Sequence, residues 1–151
     1  MAALRRMAPM HAGISPVVTR LADLGHACRL AEIALRTCVR HGPELARFDL
    51  RLPAALVAAQ PELGCELART VDPAGTLAPR DRARLLDTFA TWLDCGGSVS
   101  ESAARLYCHR NTVNNRLRRL FAASGRTVDR PWDLVEMTLG TLAARIGEGP
   151  R

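Results

Sequence analysis

The sequence predicts a mainly α protein: a helical N-terminal segment followed by a C-terminal pair of short helices around a tight turn. Three observations predict it. Alanine and leucine dominate while aromatic residues make up only 4% of the chain, a mix that favours helices over sheets. Apolar residues recur at spacings of three and four in several stretches, the period of a helix with one buried face. Residues 96–119, Gly-Gly-Ser-Val-Ser-Glu-Ser-Ala-Ala-Arg-Leu-Tyr-Cys-His-Arg-Asn-Thr-Val-Asn-Asn-Arg-Leu-Arg-Arg, fit two helices too close together for any longer connection.

Taken in order, residues 1–12 show no periodicity and read as a loose leader. Gly13-Ile14-Ser15-Pro16 is a cluster of helix breakers. A helix is expected over residues 23–40, with Leu24, Ala27, Cys28, Ala31, Ala34, Leu35 and Cys38 on a broad apolar face. Asp23 is its expected cap, and His41-Gly42-Pro43 its stop. Residues 46–50 read as a strand remnant or a loop. Two short helices follow over 53–59 and 61–70, each opened by a proline in the first turn. Residues 71–79 hold two prolines and a glycine and read as a linker, so the domains are expected at 1–78 and 79–151.

In the second half, residues 81–95 form an amphipathic helix with Leu85, Leu86, Phe89, Trp92 and Leu93 on one side, stopped by Gly96-Gly97. Ser98 caps the next helix, and Glu101 three residues on completes a capping box. Ala103 and Leu106 face inward there, and Ala103 is small enough to let a second helix cross close by. Tyr107, Cys108 and His109 form the turn, with Cys108 in its buried position. The next helix runs over Arg110–Ser124, and Gly125 is its natural C′ residue. Pro131 opens a last helix, with Val135, Leu139, Leu142 and Ile146 expected to pack beside Trp92 and Leu120.

The helix Arg110–Ser124 has two faces. Val113, Leu117, Leu120 and Phe121 form the inner stripe. Asn111, Thr112, Asn115, Arg118 and Arg119 point away from it. Amides and guanidinium groups read base edges bidentately in a major groove, so these five are the expected base-reading residues. Ser98, His109, Arg110, Asn114, Arg116 and Arg126 lie where phosphates would run. An apolar inner face and an outer face of Asn, Thr and Arg suit the second helix of a helix-turn-helix. The same stripe also fits a solvated basic helix of any helical protein.

Charge location sharpens the choice. The chain of 151 residues carries a formal net charge of +6. Between residues 104 and 130 stand seven arginines, Arg105, Arg110, Arg116, Arg118, Arg119, Arg126 and Arg130, against one acid, Asp129. The remaining residues sum to zero. The excess positive charge thus coincides with the helix-turn-helix pattern, the footprint of a polyanion partner. All 21 basic residues are arginine, which reflects compositional bias rather than chemistry.

His109-Arg110-Asn111-Thr112-Val113, followed by Arg116-Leu117-Arg118-Arg119, resembles the C-terminal helix-turn-helix of PucR/CdaR-type transcription regulators. Leu85-Leu86-Asp87-Thr88-Phe89, Trp92-Leu93, Gly96-Gly97-Ser98 and Gly125 extend the likeness to about half the chain. Two departures stand out. Tyr107 occupies a position where small or polar residues are usual, and Asn115 stands where that family usually has an aromatic residue. Gly13-Ile14-Ser15, Ala31-Glu32-Ile33-Ala34-Leu35 and Arg47-Phe48-Asp49-Leu50 are similar to the end of the degenerate GGDEF-like domain that precedes this motif in CdaR-like regulators. The chain has no Gly-Gly-Asp/Glu-Glu-Phe signature and too few residues for the whole of that domain. The helix over 23–40 is therefore expected to bury its face against the 53–70 helices or a second protomer. The resemblance implies control of a catabolic or biosynthetic operon, often through an upstream sensory domain.

Other classes fare worse. Glu62 and Glu66 share a helix face, but no histidine or metal set accompanies them, so no catalytic residues and no cofactor are expected. His11, His26 and His41 are isolated in sequence. The five cysteines form no C-x-x-C pair and suit reduced cytosolic thiols. Cys108-His109 matches no usual zinc spacing, so no metal is expected. No apolar run reaches the ~20 residues a bilayer requires, and no signal peptide is recognisable. The expectation is a cytoplasmic, sequence-specific regulator that binds double-stranded DNA as a homodimer, its effector unknown. The alternatives are a Fis-like nucleoid-architectural protein, or a protein–protein module derived from a truncated regulator.

Overall fold

The computed structural model describes residues 10–38 and 44–147. The first nine residues of the expected leader and the His41-Gly42-Pro43 stop lie outside them. The fold is mainly α, with helices α1 Leu24–Arg36, α2 Leu52–Ala59, α3 Pro61–Arg69, α4 Pro79–Asp94, α5 Val99–Arg105, α6 Arg110–Ser124 and α7 Pro131–Gly147. Two short strands, β1 Ala12–Ile14 and β2 Leu45–Arg47, and two 3-10 turns, Leu21–Asp23 and Phe48–Leu50, complete the described elements. Among the described residues, no helix is long and apolar enough to cross a membrane. The chain divides into two compact units. One comprises residues up to Glu66 and from Leu142 onward, the other Leu67–Thr141.

The first unit holds a feature the sequence concealed. β1 and β2 pair in parallel, with Ala12 opposite Leu45, Gly13 opposite Ala46 and Ile14 opposite Arg47. Parallel strands need a crossover, and α1 lies in the connection. Gly13, expected to be a breaker, is instead a point of close approach. A Cβ there would stand 1.8 Å from the Ala31 carbonyl oxygen and 2.7 Å from the Leu35 nitrogen. The helix backbone therefore rests directly on the strand. The residues between are correspondingly small: Ala34, Cys38 and Ala46 form the buried cluster, with Phe48 packed against it.

The broad apolar face expected on the first helix is buried only along Ala27, Ala34 and Cys38, while Leu24, Cys28 and Leu35 are exposed. Asp23 does not cap it. A short 3-10 turn, Leu21–Asp23, runs into α1, and Asp23 has φ −89° and ψ −4° with no side-chain cap bond. An N-cap needs extended backbone to aim its oxygen at the first amides. Residues 46–50 resolve into the end of β2 and a 3-10 turn, Phe48–Leu50.

The second unit is a helical core. Leu85, Leu86 and Phe89 of α4, Ala103 of α5, and Val113, Leu120 and Phe121 of α6 are buried. Phe89 stacks on Trp92 with centroids 5.8 Å apart and meets Phe121 edge-on at 5.6 Å. Residues 71–77 are tied to this core rather than forming a plain linker. Val71 is fully buried. The Asp72 carboxylate accepts from the Thr76 and Leu77 amides, each at 2.9 Å.

The buried stripe of α7 also differs from expectation. It runs through Met137, Gly140, Thr141, Ala143 and Ala144, leaving Val135 exposed. Small residues win here because backbone comes close. A Cβ on Gly140 would stand 2.7 Å from the Leu67 carbonyl oxygen and 2.8 Å from Thr70 Oγ1.

Candidate nucleic-acid interface

Three helix ends in the second unit use one device, and together they set the helix-turn-helix geometry. At the end of α4, Gly97 N–H donates to the Trp92 carbonyl at 2.9 Å, with Gly96 and Gly97 at φ +60° and +84°. At the end of α6, Arg126 N–H donates to the Phe121 carbonyl at 3.2 Å, with Gly125 at φ +69°. Between α5 and α6, Cys108 N–H donates to the Ala103 carbonyl at 3.0 Å. The left-handed residue there is Tyr107, at φ +50°. This closure satisfies the last carbonyls of a helix and turns the chain sharply. Glycine enters the left-handed region freely, whereas a tyrosine there is strained. Its ring is 96% exposed, so no packing of the side chain offsets that strain. Cys108, expected to be buried, is half-buried.

Each helix of the pair has its own start. Ser98 Oγ accepts from the Glu101 amide at 3.2 Å, so its cap is formed. The Ser98 amide donates to the Cys95 carbonyl at 3.0 Å, outside the expected capping box. His109 Nδ1 accepts from the Asn111 amide at 3.2 Å and caps α6. A ring nitrogen that accepts carries no proton, so the neutral imidazole holds its hydrogen on Nε2. The second ring nitrogen is thereby a donor.

On α6, Asn111, Asn115, Arg118 and Arg119 are exposed, with Thr112 partly so, opposite buried Val113, Leu120 and Phe121. Arg110 is exposed at the start of the helix and Asn114 is half-buried on its flank. These residues share one helix and one outer surface.

Three arginines have internal partners that the sequence did not disclose. Arg119 Nη2 donates to Asp81 Oδ2 at 2.8 Å. Arg116 turns toward α4, donating to Thr88 Oγ1 at 3.3 Å. Arg126 is drawn in furthest. Its Nη1 donates to the Thr70 carbonyl at 2.8 Å, and its Nε to Glu136 Oε2 at 2.9 Å. Its side chain is only 20% exposed. The pairings to Thr88, Asp81 and Thr70 span 28 to 56 residues, so no local signal announces them.

Two short helices crossing at a tight turn, the second capped, basic on its outer face and apolar within, define a helix-turn-helix DNA-binding domain. Residues 85–143 match the PucR C-terminal helix-turn-helix domain. The chain thus carries a DNA-binding domain of the kind found in PucR-type transcription regulators. Among known proteins, it is 36% identical over 64 residues to uncharacterized proteins of Mycobacterium bovis and Mycobacterium tuberculosis. That stretch is 42% of this chain and 15% of theirs. Among solved structures, it is similar to a regulator of polyketide synthase expression from Bifidobacterium adolescentis, at 25% identity and a TM-score of 0.45. That similarity covers 92% of this chain and 58% of the other.

Proposed function

We propose that the protein is a sequence-specific transcription regulator that reads the major groove with α6. The observation that carries this reading is the placement of exposed Asn111, Asn115, Arg118 and Arg119 opposite the buried Val113, Leu120 and Phe121 on one helix. Asn115 is central to that face and meets a base edge. Arg119 exchanges its Asp81 partner for DNA, an inexpensive swap because both groups are largely exposed. Ser98, His109 Nε2, Arg110 and Asn114 bind phosphates. Arg116 and Arg126 hold the domain together rather than contacting DNA first. In this reading the first unit is similar to the end of a GGDEF-like domain, a view supported by its parallel β1–α1–β2 arrangement. The protein acts in the cytoplasm.

One helix-turn-helix reads too few base pairs for a useful specificity ratio, so the regulator binds as a homodimer on half-sites one DNA turn apart. The exposed Leu21, Leu24 and Leu35 supply its apolar contact. The test is a panel of operators selected from random duplex. Asn115→Ala should lose about 1–3 kcal/mol on the best site only, with one base position relaxed. The parent should show a log–log salt slope of about −4 to −5 per protomer. A variant indistinguishable from the parent across the panel would favour shape reading of the Fis-like kind.

A further inference from the structure

Outside the helix-turn-helix, one group of side chains brings together three metal-binding donor types. His11, Cys38 and Glu44 each present a donor atom within 4.8 Å of the other two. They come from three separate places: the residue before β1, the second residue after α1 and the residue before β2. His11 Nδ1 is buried without a hydrogen-bond partner, an unusual state for a polar atom. Cys38 is buried, and its Sγ lies 3.8 Å from the Glu44 carbonyl oxygen. Arg51 donates to Glu44 Oε1, a hold on the carboxylate of the kind that orients metal ligands from the shell behind them.

We propose that His11, Cys38 and Glu44 form a site for a thiophilic divalent cation of the zinc class. The donor set decides the class. Thiolate and imidazole beside one carboxylate select zinc-like ions over magnesium or calcium, which take oxygen ligands. Zinc–ligand lengths of 2.0–2.3 Å place tetrahedral donors about 3.3–3.8 Å apart, so closure around the ion needs side-chain adjustment and no new fold. The Cys38 thiol gives its proton to solvent on binding. The His11 nitrogen acquires the partner it lacks.

The surroundings give such a site a purpose. The buried cluster beside it is built of Ala34, Cys38 and Ala46, and each strand is three residues long. So small a core gains from a staple, and this site would pin both strands and the helix at their common end.

The experiment uses the full reduced chain and Co²⁺ as a spectroscopic probe, with Zn²⁺ as competitor. One equivalent of Co²⁺ should give a thiolate-to-cobalt absorption band that Zn²⁺ removes, and Zn²⁺ should raise the melting temperature. The band should survive the double change Cys28→Ser and Cys65→Ser, since those exposed thiols lie outside the site. It should vanish in Cys38→Ser and in His11→Ala. Glu44→Gln, which keeps the shape of the side chain, should weaken binding about 10-fold or more while circular dichroism remains that of the parent. If Cys38→Ser or His11→Ala fails to fold, Glu44→Gln decides. A band absent at stoichiometric Co²⁺, or undiminished by His11→Ala or Glu44→Gln, overturns the site. So does a band that disappears with Cys28 and Cys65, which would mark adventitious binding to surface thiols.

Discussion

Arg126→Ala separates two roles for one arginine. On sequence grounds Arg126 belongs to the basic cluster and would touch phosphate. In the structure it bridges segments of the second unit, donating to the Thr70 carbonyl at 2.8 Å, the Ser124 carbonyl at 3.2 Å and the Glu136 carboxylate. The Glu136 pair contributes little, about 0–1 kcal/mol, because Glu136 is half exposed. The charge-assisted bond to the Thr70 carbonyl is better shielded and contributes about 1.5–3 kcal/mol. Truncation should therefore cost about 2–3 kcal/mol. For a unit the size of Leu67–Thr141, that lowers the melting temperature by roughly 8–24 °C. Thermal unfolding followed by circular dichroism measures it, alongside a DNA titration at a temperature where both proteins are folded. Arg126→Ala should melt early yet bind DNA much as the parent does in the cold. A variant that melts with the parent while losing DNA affinity would refute the bridging role and restore the phosphate contact.

Three further outcomes follow from features already described. Asp81→Asn removes a negative charge from the proposed DNA face and frees Arg119, so affinity for the selected operator should rise about 2- to 5-fold; gel-shift titration on that duplex measures it, and an unchanged or lower affinity would contradict this. Tyr107→Gly relieves the left-handed strain at an exposed position and should stabilise the protein by about 0.5–1 kcal/mol net of the added freedom of the unfolded chain; a denaturant midpoint that falls would show that the ring has a partner. Burial opposes the charge on Asp72, but the Leu77 and Thr76 amides, the Thr76 hydroxyl and Arg82 outweigh it, so the carboxyl lies below its usual range. Because the folded-state value is the lower one, its contribution is complete above the ordinary carboxylate range and is lost as pH falls through the folded value. Asp72→Asn should therefore flatten the acid limb of the stability profile, and an unchanged limb would assign it to other carboxylates.

Legibility in the sequence follows how local each cause is. The limits of α6, the Ser98 cap and the Gly125 closure agree with the sequence reading because each depends on residues a few positions apart. The buried stripe of Val113, Leu120 and Phe121 was equally plain, since large apolar residues at helical spacing have few other uses. What escaped depends on distant partners. β1 is three residues with a glycine at its centre, and only contact with Ala31 and Leu35 explains that glycine. On α7 the large side chains misled, because the Leu67 carbonyl and the side chains of Thr70 and Val71 come close and select Gly140 instead. The outer face of α6 was readable by angle alone. The partners of Arg116, Arg119 and Arg126 were not, because Thr88, Asp81 and Thr70 become neighbours only through the fold.

The Gly97 closure also fixes an optical property. A Cβ on Gly97 would lie 3.4 Å from Trp92 Cζ2, so the bare glycine backbone forms one wall of the indole's seat and the Phe89 ring another. The second tryptophan, Trp132, is 79% exposed. The intrinsic emission therefore divides into two populations: Trp132, already in water and open to a soluble quencher, and Trp92, half-buried against Gly97 and Phe89 until the joint between α4 and α5 opens. The shift of the half-buried population reports the opening of the helix-turn-helix scaffold without any attached dye.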